Sequence, residues 1–271
     1  MTHASLSDWN IRGRLVIGMV HLAPLPGAPR FAGDLAAVRD AMFRDADALV
    51  SSGLPALMVE NFGDVPFYPR RVPALVVAHM TELAGALRRR FDVPLGINVL
   101  RNDGESALAV ASAVGAQMIR VNVLCGARVT DQGVIEGIAH DLLRARASAN
   151  ANDIRILADC NVKHATALGQ PRAIEDELRD TIERGAADGV VISGRGTGQS
   201  TSLDDVRRAK AAAGATPVLI GSGISARTIH DYAPHADGFI VGTALKVGGV
   251  ASNPVDPNRA RDFMSRLADA G

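Results

Sequence analysis

The sequence predicts a single α/β domain of the (β/α)8 type, a TIM barrel, spanning residues 1–271. Three observations carry this reading. Eight short apolar runs recur along the chain, helical patterns lie between them, and polar residues gather at the C-terminal ends of the runs. Near-continuous apolar runs are what parallel strands buried on both faces look like. The length of 271 residues is close to the roughly 250 that such a barrel needs. With 47% apolar residues there is material for a large core.

The elements follow in order. Leu15–Val20 reads as the first strand, and after it Leu35, Val38, Met42 and Leu49 fall on one helical face. Ala56–Val59 and Pro94–Val99 are the next strands, and Glu105–Val114 is a helix. The fourth strand, Met118–Val123, leads to a helix over Ile135–Ala147, and the fifth, Arg155–Cys160, to one over Ile174–Arg184. Gly189–Ser193, Pro217–Gly221 and Gly238–Val241 complete the eight, alternating with helices Leu203–Ala213, Arg227–Tyr232 and Arg259–Leu267. Ser225 stands before the seventh helix as a cap, and Gly53, Gly115, Gly185 and Gly214 follow the ends of others. Phrases such as Gly185-Ala-Ala-Asp-Gly and His235-Ala-Asp-Gly repeat the helix-to-strand turn. Eight alternations favour closure; a doubly wound open sheet is the competing architecture and uses fewer strands.

Composition narrows the function classes. Lys plus Arg and Asp plus Glu number 29 each, so the formal net charge is zero. A nucleic-acid binder would show a basic excess, so none is expected as partner. Cys125 and Cys160 form no CxxC pair, which suits a reducing cytoplasm. Met1 to Trp9 has no apolar secretion core, and Pro73 to Ala78 is far too short to span a bilayer, so no membrane insertion is expected. A homo-oligomer is compatible with this fold, but no interface signature is visible.

In this architecture the C-terminal strand ends and the loops after them build the site. The first strand ends at His21, followed by a proline-rich loop; His21 is a candidate acid, base or ligand. The second ends at Glu60, with Asp64 shortly after; either carboxylate suits a general base if desolvated, or else pairs with an arginine such as Arg120. Asn98 faces inward from the third strand, while Asn102-Asp103 suits a helix cap. Arg120 and Asn122 share a face of the fourth. An arginine inside a barrel needs an anion, from protein or substrate. Asp159, Asn161 and Lys163 alternate at the end of the fifth, with His164 beside them. Proton transfer, a Schiff base at the lysine, or a plain internal salt bridge each fit. The sixth strand runs into the glycine-rich stretch Ser193, Gly194, Gly196, Thr197, Gly198. Ser222 and Gly223 follow the seventh, and Gly242 and Thr243 the eighth. Together these small residues suit a phosphate cup of backbone N–H groups. No tight spacing demands a metal; a divalent ion on His21, Glu60, Asp159 and His164 is compatible with the residues.

The blocks Gly18-Met-Val-His-Leu-Ala-Pro-Leu-Pro-Gly-Ala-Pro29, Glu60-Asn-Phe-Gly-Asp-Val-Pro-Phe67, Asn98-Val-Leu-Arg-Asn-Asp103, Val162-Lys-His-Ala165 and Ser193-Gly-Arg-Gly-Thr-Gly198 resemble those of the BtpA/SgcQ family. The resemblance covers nearly the whole chain. It implies a barrel of the ribulose-phosphate-binding type, which agrees with the phosphate cup. The family takes its name from a photosystem I biogenesis factor and has members in non-photosynthetic bacteria, some in sugar-utilisation gene clusters. A fainter likeness, to the tryptophan synthase α subunit, rests on Glu60 before Pro66-Phe67 and on Gly221-Ser-Gly-Ile-Ser225. The neighbours Asn61 and Phe62 and the Asp159–Lys163 cluster depart from it.

The expected function is therefore an enzyme acting on a small phosphorylated sugar or nucleoside-like metabolite, as a lyase, isomerase or epimerase. Glu60, Asp159, Lys163, His164 and His21 would move protons, with Asn98, Arg120, Asn122 and Asn161 orienting hydroxyls. A phosphoribosyl transferase or glycosidase, with carboxylates stabilising an oxocarbenium ion, is a second option. A non-enzymatic assembly factor for a membrane complex is a third.

Overall fold

The computed structural model describes residues 14–160, 165–170, 172–194 and 200–270. Its centre is a closed barrel of eight parallel strands: β1 (Leu15–His21), β2 (Ala56–Glu60), β3 (Leu95–Asn98), β4 (Met118–Val121), β7 (Arg155–Cys160), β9 (Gly189–Ile192), β10 (Val218–Ile220) and β11 (Gly238–Val241). β1 pairs with both β2 and β11, which closes the ring. Around it lie α1 (Leu35–Ser51), α2 (Ala74–Arg90), α3 (Gly104–Val114), α4 (Ala139–Ser148), α5 (Ile174–Arg179), α6 (Leu203–Ala212), α7 (Ile229–Tyr232) and α8 (Pro257–Asp269).

The period of two along each strand divides the core in two. Leu15, Ile17 and Met19 of β1 point inward with Ala56, Met58, Met118, Leu157, Val191, Leu219 and Ile240, filling the barrel. The alternate residues, among them Val16, Val20, Leu57, Val59, Ile97, Ile119, Ile156, Val190 and Phe239, pack outward against the helices. One step further along each strand, the inward positions become His21, Glu60, Asn98, Arg120 and Asp159. The pairing register places His21 beside Glu60, Glu60 beside Asn98, and Asn98 beside Arg120.

The helices start where their caps say they should. Asp34, Asp103, Ser202 and Asp256 each accept a backbone N–H in the first turn of α1, α3, α6 and α8. The expected cap of the seventh helix is displaced: Ser225 lies in the preceding turn, where Thr228 and Ile229 donate to its carbonyl, and α7 begins after Thr228. Gly53, Gly115 and Gly214 have positive φ as helix-ending residues do, whereas Gly185, with φ −83°, follows a π-helical stretch over Asp180–Arg184. Between the second and third strands, where no helix was expected, α2 buries Val76, Met80, Leu83 and Leu87.

One segment overturns its expectation. The helix predicted over Ile135–Ala147 begins only at Ala139. Before it, β5 (Ala127–Thr130) and β6 (Gly133–Glu136) form a hairpin, joined on the other side by β8 (Ala165–Ala167) in an antiparallel sheet of order β6-β5-β8. Gly133, at φ +96°, supplies the left-handed residue that the turn needs. Ile135 is buried against Val123 and so serves the hairpin's own small core. Asn102 fixes the hairpin root: its side chain accepts from the Val123 N–H at 2.8 Å and donates to the Val123 and Glu136 carbonyls.

Candidate functional site

A cavity of about 800 Å³ opens at the C-terminal end of the barrel. His21, Glu60, Arg120 and Asn122 reach it from the β1, β2 and β4 strand ends, and Ser222, Gly223, Gly242 and Thr243 from the loops after β10 and β11. Parity explains the first set. His21, Glu60 and Arg120 are the inward positions just beyond the apolar layer, and Asn122 is the next in phase after Arg120, so the same alternation that fills the barrel delivers polar atoms to its mouth.

Glu60 is the centre of one cluster. Asn98 donates to its Oε2 at 2.5 Å, and His21 Nε2 stands 3.7 Å from its Oε1. The His21 ring is stacked on Phe62, with centroids 4.4 Å apart. Its Nδ1 lies 3.2 Å from the carbonyl of Ala251; a carbonyl only accepts, so Nδ1 carries a proton and Nε2 faces the carboxylate. A buried carboxylate and an imidazole in contact form a pair between which a proton can move.

Asp159 is the centre of the second cluster. Arg120 grips it with Nε on Oδ1 and Nη2 on Oδ2, both at 3.0 Å, and Asn122 Nδ2 donates to Oδ2 at 2.6 Å. The pair is almost fully buried. Arg120 thus finds its anion in Asp159 and not in Glu60. Among the described residues, Asn122 Oδ1 and Ser193 Oγ are buried polar atoms without a hydrogen-bond partner.

The phosphate-cup candidates divide. Ser222, Gly223, Gly242 and Thr243 line the cavity, and Ser222 Oγ accepts from the Gly194 N–H at 2.6 Å, tying the loop after β9 to the loop after β10. The short 3₁₀ turn Thr243–Leu245 opens at the mouth. The first N–H groups of such a turn have no acceptor within it. Asn161, Lys163, His164, Gly196, Thr197 and Gly198 lie outside the described residues. Among the described residues, no group of three His, Cys, Asp or Glu side chains comes together as a metal site would require.

Asp64 proves to be a fastener. It accepts from the Leu25 N–H at 2.8 Å and from Asn61 at 3.1 Å, pinning the proline-rich loop after β1. Burial raises its pKa, and those two hydrogen bonds oppose the rise. Three charged residues outside the expected site also line the cavity: Arg101 beyond β3, Asp131 at the hairpin tip and Arg227 before α7. Arg101 was legible only as the neighbour of a strand end, and Arg227 only as the first residue of the expected helix Arg227–Tyr232, which begins at Ile229.

The BtpA family pattern matches residues 12–269. The chain belongs to the BtpA family. Relatives agree over most of their length. The photosystem I biogenesis protein BtpA of Synechocystis is 47% identical, over 94% of this chain and 88% of that protein. A protein of Thermococcus kodakarensis is 48% identical, over 92% of this chain and 93% of its own. Among solved structures, phosphoribosylanthranilate isomerase from Pyrococcus furiosus superposes with a TM-score of 0.56 at 14% identity, covering 95% of this chain and 100% of its own. Tryptophan synthase from Mycobacterium tuberculosis does so with a TM-score of 0.59 at 18% identity, covering 97% and 95%. At such identities the likeness is one of fold. No helix among the described residues is long and apolar enough to cross a membrane.

Proposed function

We propose that this BtpA-family barrel is an enzyme acting by acid–base chemistry on a small phosphorylated sugar or nucleoside-like metabolite, in the manner of a lyase, isomerase or epimerase. One observation carries the reading. The buried Glu60–His21 pair and the small-residue loops after β10 and β11 open on the same cavity. Backbone N–H groups of Gly223, Gly242 and Thr243, with the Ser222 hydroxyl, would hold the phosphate. Glu60 would take a proton from carbon or oxygen of the substrate and pass it to the unprotonated His21 Nε2, which would return it to the substrate. Asn98 keeps the carboxylate oriented, and Arg120 and Asn122 would face the substrate's hydroxyls. The Asp159–Arg120 bond holds those side chains in place.

Lyases, isomerases and epimerases that work through an enolate or enediol share a proton abstraction next to a carbonyl. That step is visible as exchange of substrate C–H for deuterium. Incubation with a panel of phosphorylated aldoses and ketoses in D2O, followed by proton NMR, should show loss of a C–H signal for at least one compound. In Glu60→Gln the exchange rate should fall by roughly 100-fold or more. Exchange that persists at the wild-type rate in Glu60→Gln would remove the glutamate from the chemistry.

A second reading has an observation of its own: the 47% identity to a protein named for photosystem I biogenesis. An assembly factor has no use for proton transfer. Under that reading no compound exchanges, and Glu60→Gln complements a deletion strain as well as the wild type does.

A further inference from the structure

The cavity has an apolar wall that acid–base chemistry does not use. Phe62, Val65 and Phe67, from the loop after β2, and Leu100, just beyond β3, all line it. Leu100 is buried and the other three are half-buried. Among the described residues, the packed core of strands and helices includes none of these four side chains. The chain has seven phenylalanines in all, and two of them stand on this one small wall. Apolar groups that face an open cavity instead of a core gain free energy only when something covers them.

The wall is firmly held. The Leu22 N–H donates to the Glu60 carbonyl at 2.9 Å, and the Gly63 N–H to the Leu22 carbonyl at 3.0 Å. A Cβ on Gly63 would lie 2.4 Å from Pro24 N and 2.6 Å from the Ala23 carbonyl carbon, so the loops after β1 and β2 meet backbone to backbone. Asp64 fastens the same two loops through the Leu25 N–H. The Leu100 N–H donates to Asn61 Oδ1 at 2.7 Å, which ties the end of β3 to them. The wall is also in line with the rest of the site. Around the closed ring, β10, β11, β1, β2 and β3 are successive neighbours, and β3 stands four places from β10 in either direction. The phosphate loops, the His21–Glu60 pair and the apolar wall therefore follow one another from one side of the mouth to the other.

We propose that the ligand carries a planar aromatic ring at the end remote from its phosphate, and that Phe62, Val65 and Phe67 receive it. This rests on the phosphate reading given above. The cavity, at about 800 Å³, is of the size that encloses a drug-sized molecule, and a sugar phosphate alone leaves part of it empty. Phenylalanine rings reward a second π-system, in offset or edge-to-face contact, beyond what the same apolar area gives. A wall already fixed by its backbone loses little freedom when a ring settles on it. Such a ligand would have its phosphate at the β10–β11 loops, its reacting carbon over Glu60 and His21, and its ring on the β2–β3 wall.

The test is a calorimetric titration with one skeleton, 1,4-anhydroribitol 5-phosphate, bare or carrying phenyl, cyclohexyl, adenine or uracil at C1, beside inorganic phosphate. At least one of the aromatic ligands should bind about ten-fold or more tighter than the bare skeleton, and about three-fold or more tighter than the cyclohexyl ligand. Phe67→Leu keeps an apolar surface and removes a π face. It should weaken the preferred aromatic ligand about five-fold or more, and the cyclohexyl ligand less than about two-fold. A nucleobase as the tightest group marks a nucleotide-like ligand and phenyl an aryl one, and either result supports the inference. Binding of phosphate or of the bare skeleton with no gain from any aromatic ring overturns this inference alone. So does a cyclohexyl ligand that equals the best aromatic one, or an aromatic preference that Phe67→Leu leaves intact. Should that variant not fold, the comparison of aromatic with cyclohexyl ligands in wild type decides alone. Failure of inorganic phosphate and of every ligand to bind overturns the phosphate reading and this inference together.

Discussion

Asp159 and Cys160 are adjacent on β7 and face opposite ways, with opposite chemical consequences. Asp159 points into the barrel and pairs with Arg120. Cys160 points outward into the helix-facing core, where its Sγ lies 3.8 Å from Thr181 Oγ1 and burial pushes its pKa up to about 12 from 9.0. A raised thiol pKa means that the unfolded chain gives up this proton first. The stability held by the neutral thiol is complete below pH 9.0 and is lost as pH rises toward about 12. Urea titrations between pH 8 and 10.5 should therefore show wild type losing about 1.4 kcal/mol more per pH unit above 9 than Cys160→Ala does. Parallel slopes in the two proteins would contradict the assignment. At this scale much of the site could be read from the chain. His21, Glu60, Asn98, Arg120 and Asp159 sit in phase with the inward apolar residues of their strands, and parity needs no tertiary information. Arg101 could not be read that way. It lies beyond the end of β3, where hydrogen bonds from Leu100 to Asn61 and from Asn102 to Val123 hold the backbone, and those partners come from the ends of other strands.

Between elements, the most exacting contact joins α1 to the segment after β11. Lys246, almost fully buried, donates to Asp45 Oδ2 at 2.5 Å, and Asp45 Oδ1 accepts from the Val255 N–H at 2.9 Å. The two ends of the 246–255 loop are thereby clamped to one carboxylate, and that loop carries the Ala251 carbonyl that orients His21. Asp45→Asn leaves a buried ammonium without its counter-ion and should cost about 3–5 kcal/mol in chemical denaturation. Asp45→Leu with Lys246→Met should recover a large part of that loss, because no isolated charge remains. Equal destabilisation by the single and double variants would contradict this picture. The strands of the barrel were legible because each is a short apolar run buried on both faces. The β5–β6 hairpin was not, because Val134-Ile135-Glu136 merges with the helical pattern that follows, and only the partner strand distinguishes the two periods. Gly133, three residues after Thr130, was the available signal.

On the scale of the whole molecule, the ring of eight strands turns a sequence alternation into a single chamber. Apolar side chains fill its lower part, polar ones line its mouth, and the loops after β10 and β11 add a rim of small residues. Gly242 sits at the meeting point of chemistry and rim: a Cβ there would lie 3.1 Å from His21 Cε1 and 3.2 Å from Met19 Cβ. A carboxylate at this position would both crowd the histidine and repel an anion. Thermal unfolding with inorganic phosphate, glucitol 6-phosphate and unphosphorylated glucitol therefore tests the central claim, that the mouth of this barrel holds a phosphorylated ligand. Near 100 times its dissociation constant, a phosphate-bearing ligand should add roughly 2.7 kcal/mol and raise the midpoint of wild type by roughly 5–10 °C. Glucitol should do nothing, and Gly242→Asp, folded in its own right, should not respond. A midpoint that no phosphorylated compound moves, or that rises equally in Gly242→Asp, would contradict the account.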